Sequence, residues 1–73
     1  MKKSVPAAIS NINQRIKILR KRMNLTQKEF AQKICVSTSF QTLTELEQKK
    51  VLPRHIKLIV TAFGVNEEWL RTG

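Results

Sequence analysis

Apolar residues along this chain recur with helical spacing, and no segment alternates with period two over a useful length. Ile12, Ile16, Leu19 and Met23 fall at i, i+4, i+7 and i+11, which predicts a first helix over 11–23, capped by Ser10 or Asn11 and ended at Asn24. A second helix is expected over 27–34, with Phe30, Ala31 and Ile34 facing inward. Its start reads as a capping box, Thr26 holding the Glu29 N–H while Glu29 reaches back to Thr26. Leu43 and Leu46, with Phe40, stand at i, i+3 and i+6 and predict a third helix whose other face is Gln41, Thr42, Thr44, Glu45 and Gln48. Pro53 suits the first position of a fourth helix, 53–63, which carries Ile56, Ile59, Val60 and Phe63 and stops at Gly64. Asn66 caps a last helix, 67–71, with Val65 and Leu70 as a hydrophobic staple. Glu67 and Glu68 in its first turn suit the helix dipole and suggest no catalytic role. The expectation is an all-α bundle of five short helices in which helices two and three have the layout of a helix-turn-helix.

Length and charge sharpen this picture. Seventy-three residues, 41% of them hydrophobic, allow one small domain with a thin core. The expected division is a flexible arm over 1–9, made of small residues around Ser4 and Pro6, and a folded unit over 10–73. Nothing in these residues reads as a second, effector-binding domain. One cysteine forms no internal disulfide, and no Cys/His cluster offers a metal site. The net charge is +9, from fourteen Lys and Arg against five acids, which favours a polyanionic partner. Five of those cations, Arg15, Lys17, Arg20, Lys21 and Arg22, are expected on the solvent face of the first helix. Cations near a helix C-terminus also suit the macrodipole, so that cluster has a purely structural reading as well. No run is long and apolar enough to span a bilayer, and Pro6, Ser10, Asn11 and Asn13 interrupt any signal-peptide h-region. A cytoplasmic location without membrane contact is the expectation.

Nothing in the chain supplies a nucleophile, a base and an orienting partner together, so no enzyme, cofactor or small-molecule ligand is expected. His55, the single histidine, reads as a surface or capping residue at the start of the fourth helix. Cys35 reads as a small buried filler, and Trp69 as a core or dimer-edge residue. Gln27 sits in the exposed first turn of the second helix, where backbone N–H groups attract anions such as phosphate.

Taken in order, Arg15-Ile16-Lys17…Leu19-Arg20, Leu25-Thr26-Gln27…Phe30-Ala31…Ile34, Val36-Ser37, Leu43-x-x-Leu46-Glu47 and Phe63-Gly64-Val65-Asn66-Glu67-Glu68-Trp69-Leu70 resemble the Cro/repressor-type, or Xre, helix-turn-helix family over roughly residues 12–73. The resemblance implies a dimeric, sequence-specific binder of double-stranded DNA, a transcriptional repressor or regulator whose third helix enters the major groove. It implies base contacts from Gln41, Thr42, Thr44 and Glu45, with Thr38 and Ser39 in reach if the helix starts early. It implies phosphate contacts from Gln27, Lys28, Arg20, Arg22, Lys49 and Lys50, and a homodimer surface around Trp69 and Leu70. The sequence departs from the family pattern twice. Cys35 stands where Gly is usual, so it must avoid a left-handed conformation or bear its strain. Read without a gap, the usual buried positions of the third helix would be Gln41 and Thr44, which buries polar groups. A lengthened turn followed by a helix over 41–48, with Leu43 and Leu46 inward, avoids that cost. A longer helix starting near Thr38 is the alternative. These departures also leave open a scaffold that acts through protein contacts, as an antirepressor or antitoxin-like partner.

Overall fold

The computed structural model describes residues 11–73, and among them the chain forms five helices and no strand. These are α1 (Ile12–Arg22), α2 (Gln27–Lys33), α3 (Thr38–Glu45), α4 (Pro53–Phe63) and α5 (Glu67–Thr72). The expected arm over 1–9 lies outside the described residues.

Each start follows from a local side chain. Asn11, not Ser10, caps α1, its Oδ1 accepting from the Gln14 N–H at 2.8 Å. At α2 the capping box is complete: the Glu29 N–H reaches Thr26 Oγ1 at 3.0 Å and the Thr26 N–H reaches Glu29 Oε1 at 2.8 Å. Ser37 Oγ accepts from the Phe40 N–H at 3.0 Å to open α3, and Asn66 Oδ1 from the Trp69 N–H at 2.8 Å to open α5. Helix α4 has Leu52 at its N-cap, which offers no side-chain acceptor, and begins instead on Pro53, whose fixed φ suits the first helical position.

The ends of α1, α2 and α3 share one device. The residue after each cap turns left-handed: Asn24 (φ 57°), Cys35 (φ 62°) and Glu47 (φ 63°). The next N–H then folds back to a carbonyl of the last turn, Leu25 to Arg20 at 3.2 Å, Val36 to Ala31 at 3.0 Å and Gln48 to Leu43 at 2.9 Å. These are Schellman stops, a position that glycine takes most cheaply. Glycine stands at the ends of α4 and α5, Gly64 at φ 65° and Gly73 at φ 77°.

The core is Ile16 and Leu19 of α1, Phe30 and Ile34 at α2, Ile56 and Ile59 of α4 and Leu70 of α5. Phe30 stacks on Phe63 with ring centroids 4.8 Å apart. The expected stripes of α1, α2, α4 and α5 all turn inward. Helix α3 does not follow the expectation. It runs from Thr38 to Glu45 rather than over 41–48; Gln41 and Thr44 are fully buried, and Leu46 is 59% exposed. The ungapped register therefore holds: Thr44 bonds within the helix, Glu45 is met by Arg20 of α1, and the Gln41 amide N–H donates to Glu45 while its Oε1 has no partner among the described residues.

Three other side chains lie where the sequence reading did not put them. Arg15 is buried, not solvated: Nε donates to the Leu70 carbonyl at 2.8 Å and Nη2 to that of Arg71 at 2.7 Å, so α1 caps the C-terminus of α5. Cys35 is exposed rather than a buried filler. His55 is buried rather than at the surface, with Phe40 edge-on at 5.0 Å, and neither ring nitrogen has a partner among the described residues. Burial pushes its pKa below the ordinary histidine value.

Two expectations follow. The exposed side chain of Cys35 gives little packing in return for its left-handed backbone, so Cys35→Gly should stabilise the domain by about 1 kcal/mol and raise Tm by about 4–8 °C in a thermal melt. Burial disfavours the charged form of His55 in the fold, while the unfolded chain protonates near the ordinary histidine value of 6.5. The unfolded state thus binds more protons below that pH, and stability should fall as pH drops from 7 toward 5. Urea midpoints across that range should fall less steeply for His55→Gln than for the parent chain.

Candidate nucleic-acid interface

Helix α3 is held by hydrogen bonds more than by apolar contact. Glu45, almost wholly buried on its inner face, accepts both arms of Arg20 from α1: Nε to Oε2 at 2.6 Å and Nη2 to Oε1 at 2.9 Å. Arg20 Nη1 also donates to the Leu25 carbonyl at 2.8 Å, tying the end of α1 into the same cluster. The amide of Gln41, one turn back on α3, donates to Glu45 Oε2 at 2.8 Å, and that of Gln27, at the start of α2, to Oε1 at 3.1 Å. The other end of the Gln27 amide accepts from Thr42 Oγ1 at 2.8 Å. Burial alone would raise the Glu45 carboxyl pKa, but the bonds from Arg20, Gln41 and Gln27 and the Arg20 charge outweigh it and hold the group below the usual carboxylate range. Thr44 is satisfied within the helix, its hydroxyl donating to the Phe40 carbonyl at 2.8 Å.

With Gln41, Thr44 and Glu45 turned in, the outward face of α3 is Thr38, Ser39, Thr42 and Leu43, continued by Leu46. These positions span about 140° of the helix surface at 100° per residue. Thr38 and Ser39 are exposed; Thr42 and Leu43 are half-buried. The turn beyond α3 is fixed from α1. Asn13 Nδ2 donates to the Thr44 carbonyl at 2.9 Å and the Lys49 carbonyl at 3.0 Å, and Glu47 accepts from Asn11 and Gln14. Lys49 and Lys50 are thereby presented on an anchored segment, Lys49 Nζ lying 5.7 Å from the Phe40 ring centre.

Of the six expected base readers, the structure leaves Thr38, Ser39 and Thr42 at the surface and buries Gln41, Thr44 and Glu45. The last three are withdrawn from that role, because each serves the packing of α3. Among the expected phosphate contacts, Lys28, Lys49 and Lys50 are exposed and Gln27 is half-buried at the α2–α3 seam. Arg20 is corrected from a phosphate contact to an internal anchor: its side chain is 12% exposed and committed to Glu45. Arg22 is exposed but lies beside Trp69 and Asn66, about 200° round α1 from Arg20, so it is not brought to α3. Trp69 is half-buried next to Leu19 and Val65, whereas Leu70 is fully buried and forms core rather than a dimer surface. The Arg20–Glu45 pair and the Asn13 tether had no local sequence signal, since their partners are 25 or more residues distant.

Two short helices joined by a four-residue turn, the second offering its polar outer face while the first braces it, constitute a helix-turn-helix. A family model described as helix-turn-helix matches residues 16–70, and the chain belongs to this Cro/C1-type, Xre-like family, a DNA-binding regulatory domain. Neither the curated proteins nor the solved structures yield a match. No helix among the described residues is long and apolar enough to cross a membrane.

Removing the hub should be costly. Glu45→Ala strands the Arg20 guanidinium in a nearly closed site and should lower unfolding free energy by about 3 kcal/mol. In urea titrations Arg20→Ala and Glu45→Ala should be strongly non-additive when combined, because both delete the same interaction.

Proposed function

We propose that this protein binds duplex DNA sequence-specifically as a transcriptional repressor or regulator, with α3 in the major groove. The observation that carries this reading is the exposed stripe Thr38, Ser39, Thr42 and Leu43 on a helix braced from both α1 and α2, with cations on either side of it in the chain. Lys28 and Lys33 on α2 and Lys49 and Lys50 after α3 are exposed, and no carboxylate among the described residues pairs with them. Thr38, Ser39 and Thr42 are the base contacts in this reading. Lys28, Lys49, Lys50 and the first turn at Gln27 contact phosphate. The functional unit is a homodimer on two half-sites, joined at an edge that includes Trp69. A second reading, a scaffold acting through protein contacts, has in its favour the exposed Leu46 and Leu52, at 59% and 50%. The surplus of unpaired cations favours the polyanion.

The reading is checked by selecting bound sites from a random duplex pool and titrating the winner at several salt concentrations. Affinity should fall steeply with salt, with a log–log slope of about −0.9 per neutralised phosphate and two chains per site. Lys49→Ala and Lys50→Ala should each flatten that slope by about 1 without changing the selected sequence. Absence of binding at low salt, or a response indifferent to salt, excludes the DNA reading.

A further inference from the structure

We infer that α3 selects its half-site chiefly through the 5-methyl groups of thymines, contacted by Thr42, Leu43 and Thr38, and not through paired hydrogen bonds to purines. This rests on the reading that α3 enters the major groove. Strong hydrogen-bond readout there needs a long, forked side chain: an arginine for guanine, or an asparagine or glutamine for adenine. Helix α3 holds no arginine, lysine or asparagine, and its one amide, Gln41, is fully buried and bonded to Glu45. The next exposed amide, Gln48, follows the left-handed stop at Glu47 and is outside the helix.

What the stripe offers instead is short and rich in methyl groups. The Thr42 hydroxyl donates its proton to Gln27 at 2.8 Å, so toward a base this side chain offers its methyl and an acceptor lone pair, and no donor for a purine N7. Leu43 has only methyls, is half-exposed, and sits directly beside Thr42 on the outward arc. Thr38 and Ser39 carry hydroxyls that accept or donate to any base and so discriminate weakly by hydrogen bonding. In the major groove the one apolar feature that distinguishes a base pair is the thymine methyl. A face built from methyls and short hydroxyls, one of them already donating to Gln27, is complementary to it.

The test uses chemically altered bases in the site selected from a random duplex pool. Deoxyuridine replaces each thymine in turn, which removes the methyl and leaves pairing and the O4 acceptor intact. In a second series, 7-deaza analogues replace each purine and remove the N7 acceptor. Burial of one methyl corresponds to about a fourfold change in affinity, so at least two thymines per half-site should show a loss of that size on conversion to deoxyuridine. The 7-deaza series should change affinity by less than about twofold at every position. Thr42→Ser retains the hydroxyl for Gln27 and deletes only the methyl. It should bind the thymine and deoxyuridine versions of one position equally while melting at the parental temperature. If deoxyuridine is tolerated throughout, or if a 7-deaza purine costs tenfold or more, the inference is overturned while DNA binding itself stands. If no duplex is bound at low salt, the underlying reading fails, and the two failures are thus told apart.

Discussion

The carboxylate of Glu45 is the point on which the arrangement of α1, α2 and α3 depends. Domains of this size bury a modest share of their surface, and apolar burial, being non-directional, fixes position poorly. Here the inner face of α3 contributes Gln41, Thr44 and Glu45 where a conventional amphipathic helix would contribute leucines. Its placement relative to α1 and α2 is accordingly set by bond directions: a forked guanidinium from α1 and the Gln27 amide from α2, with the Gln41 amide holding the carboxylate from within α3. Each bond in such a cluster is worth more because the others hold its partners in line. Helix α3 is thereby positioned by the least forgiving kind of contact the chain possesses.

The acids serve the interior and the helix ends, and this shapes the electrostatics outside. Glu45 is buried against Arg20, Glu29 completes the α2 cap, Glu47 is held by Asn11 and Gln14, and Glu67 pairs with Arg71 and Lys57. Only Glu68 has no such task among the described residues. Glu45 is matched inside by Arg20, whereas Glu29 and Glu47 keep exposed charges and offset part of the larger set of cations around α3.

Much of the fold was legible in the sequence, and the exception is instructive. Helices α1, α2, α4 and α5 combine a clear apolar stripe with a cap at one end or a stop at the other, and each formed within about two residues of expectation. For α3 the pair Leu43 and Leu46 imitates an inward stripe, while the true inward face looks like a polar surface. Burial of Glu45, and of the Gln41 amide that donates to it, reads as a penalty only while Arg20 is thought to face solvent. That partner lies 25 residues away from Glu45, beyond the reach of any local pattern. The same misplacement put Gln41, Thr44 and Glu45 on the outer face, whereas Thr38, Ser39 and Thr42 lie outward once the helix starts at Thr38. Ser37 was the available local signal for that start, being a good cap three residues ahead of Phe40. At Cys35 the resemblance posed the right alternative, strain or avoidance, and the backbone takes the strained option at φ 62°.

The hydroxyl bond from Thr42 to Gln27 has a consequence for the thermodynamics of recognition. A surface that must order long side chains on docking gives up about 0.5–1.5 kcal/mol for each one immobilised. The stripe on α3 consists of serine, threonine and leucine, with few torsions to lose, and its central residue is already fixed by the neighbouring helix. The ordering of Thr42 is completed during folding. A partner docking on this face finds that side chain already placed and few torsions left to freeze.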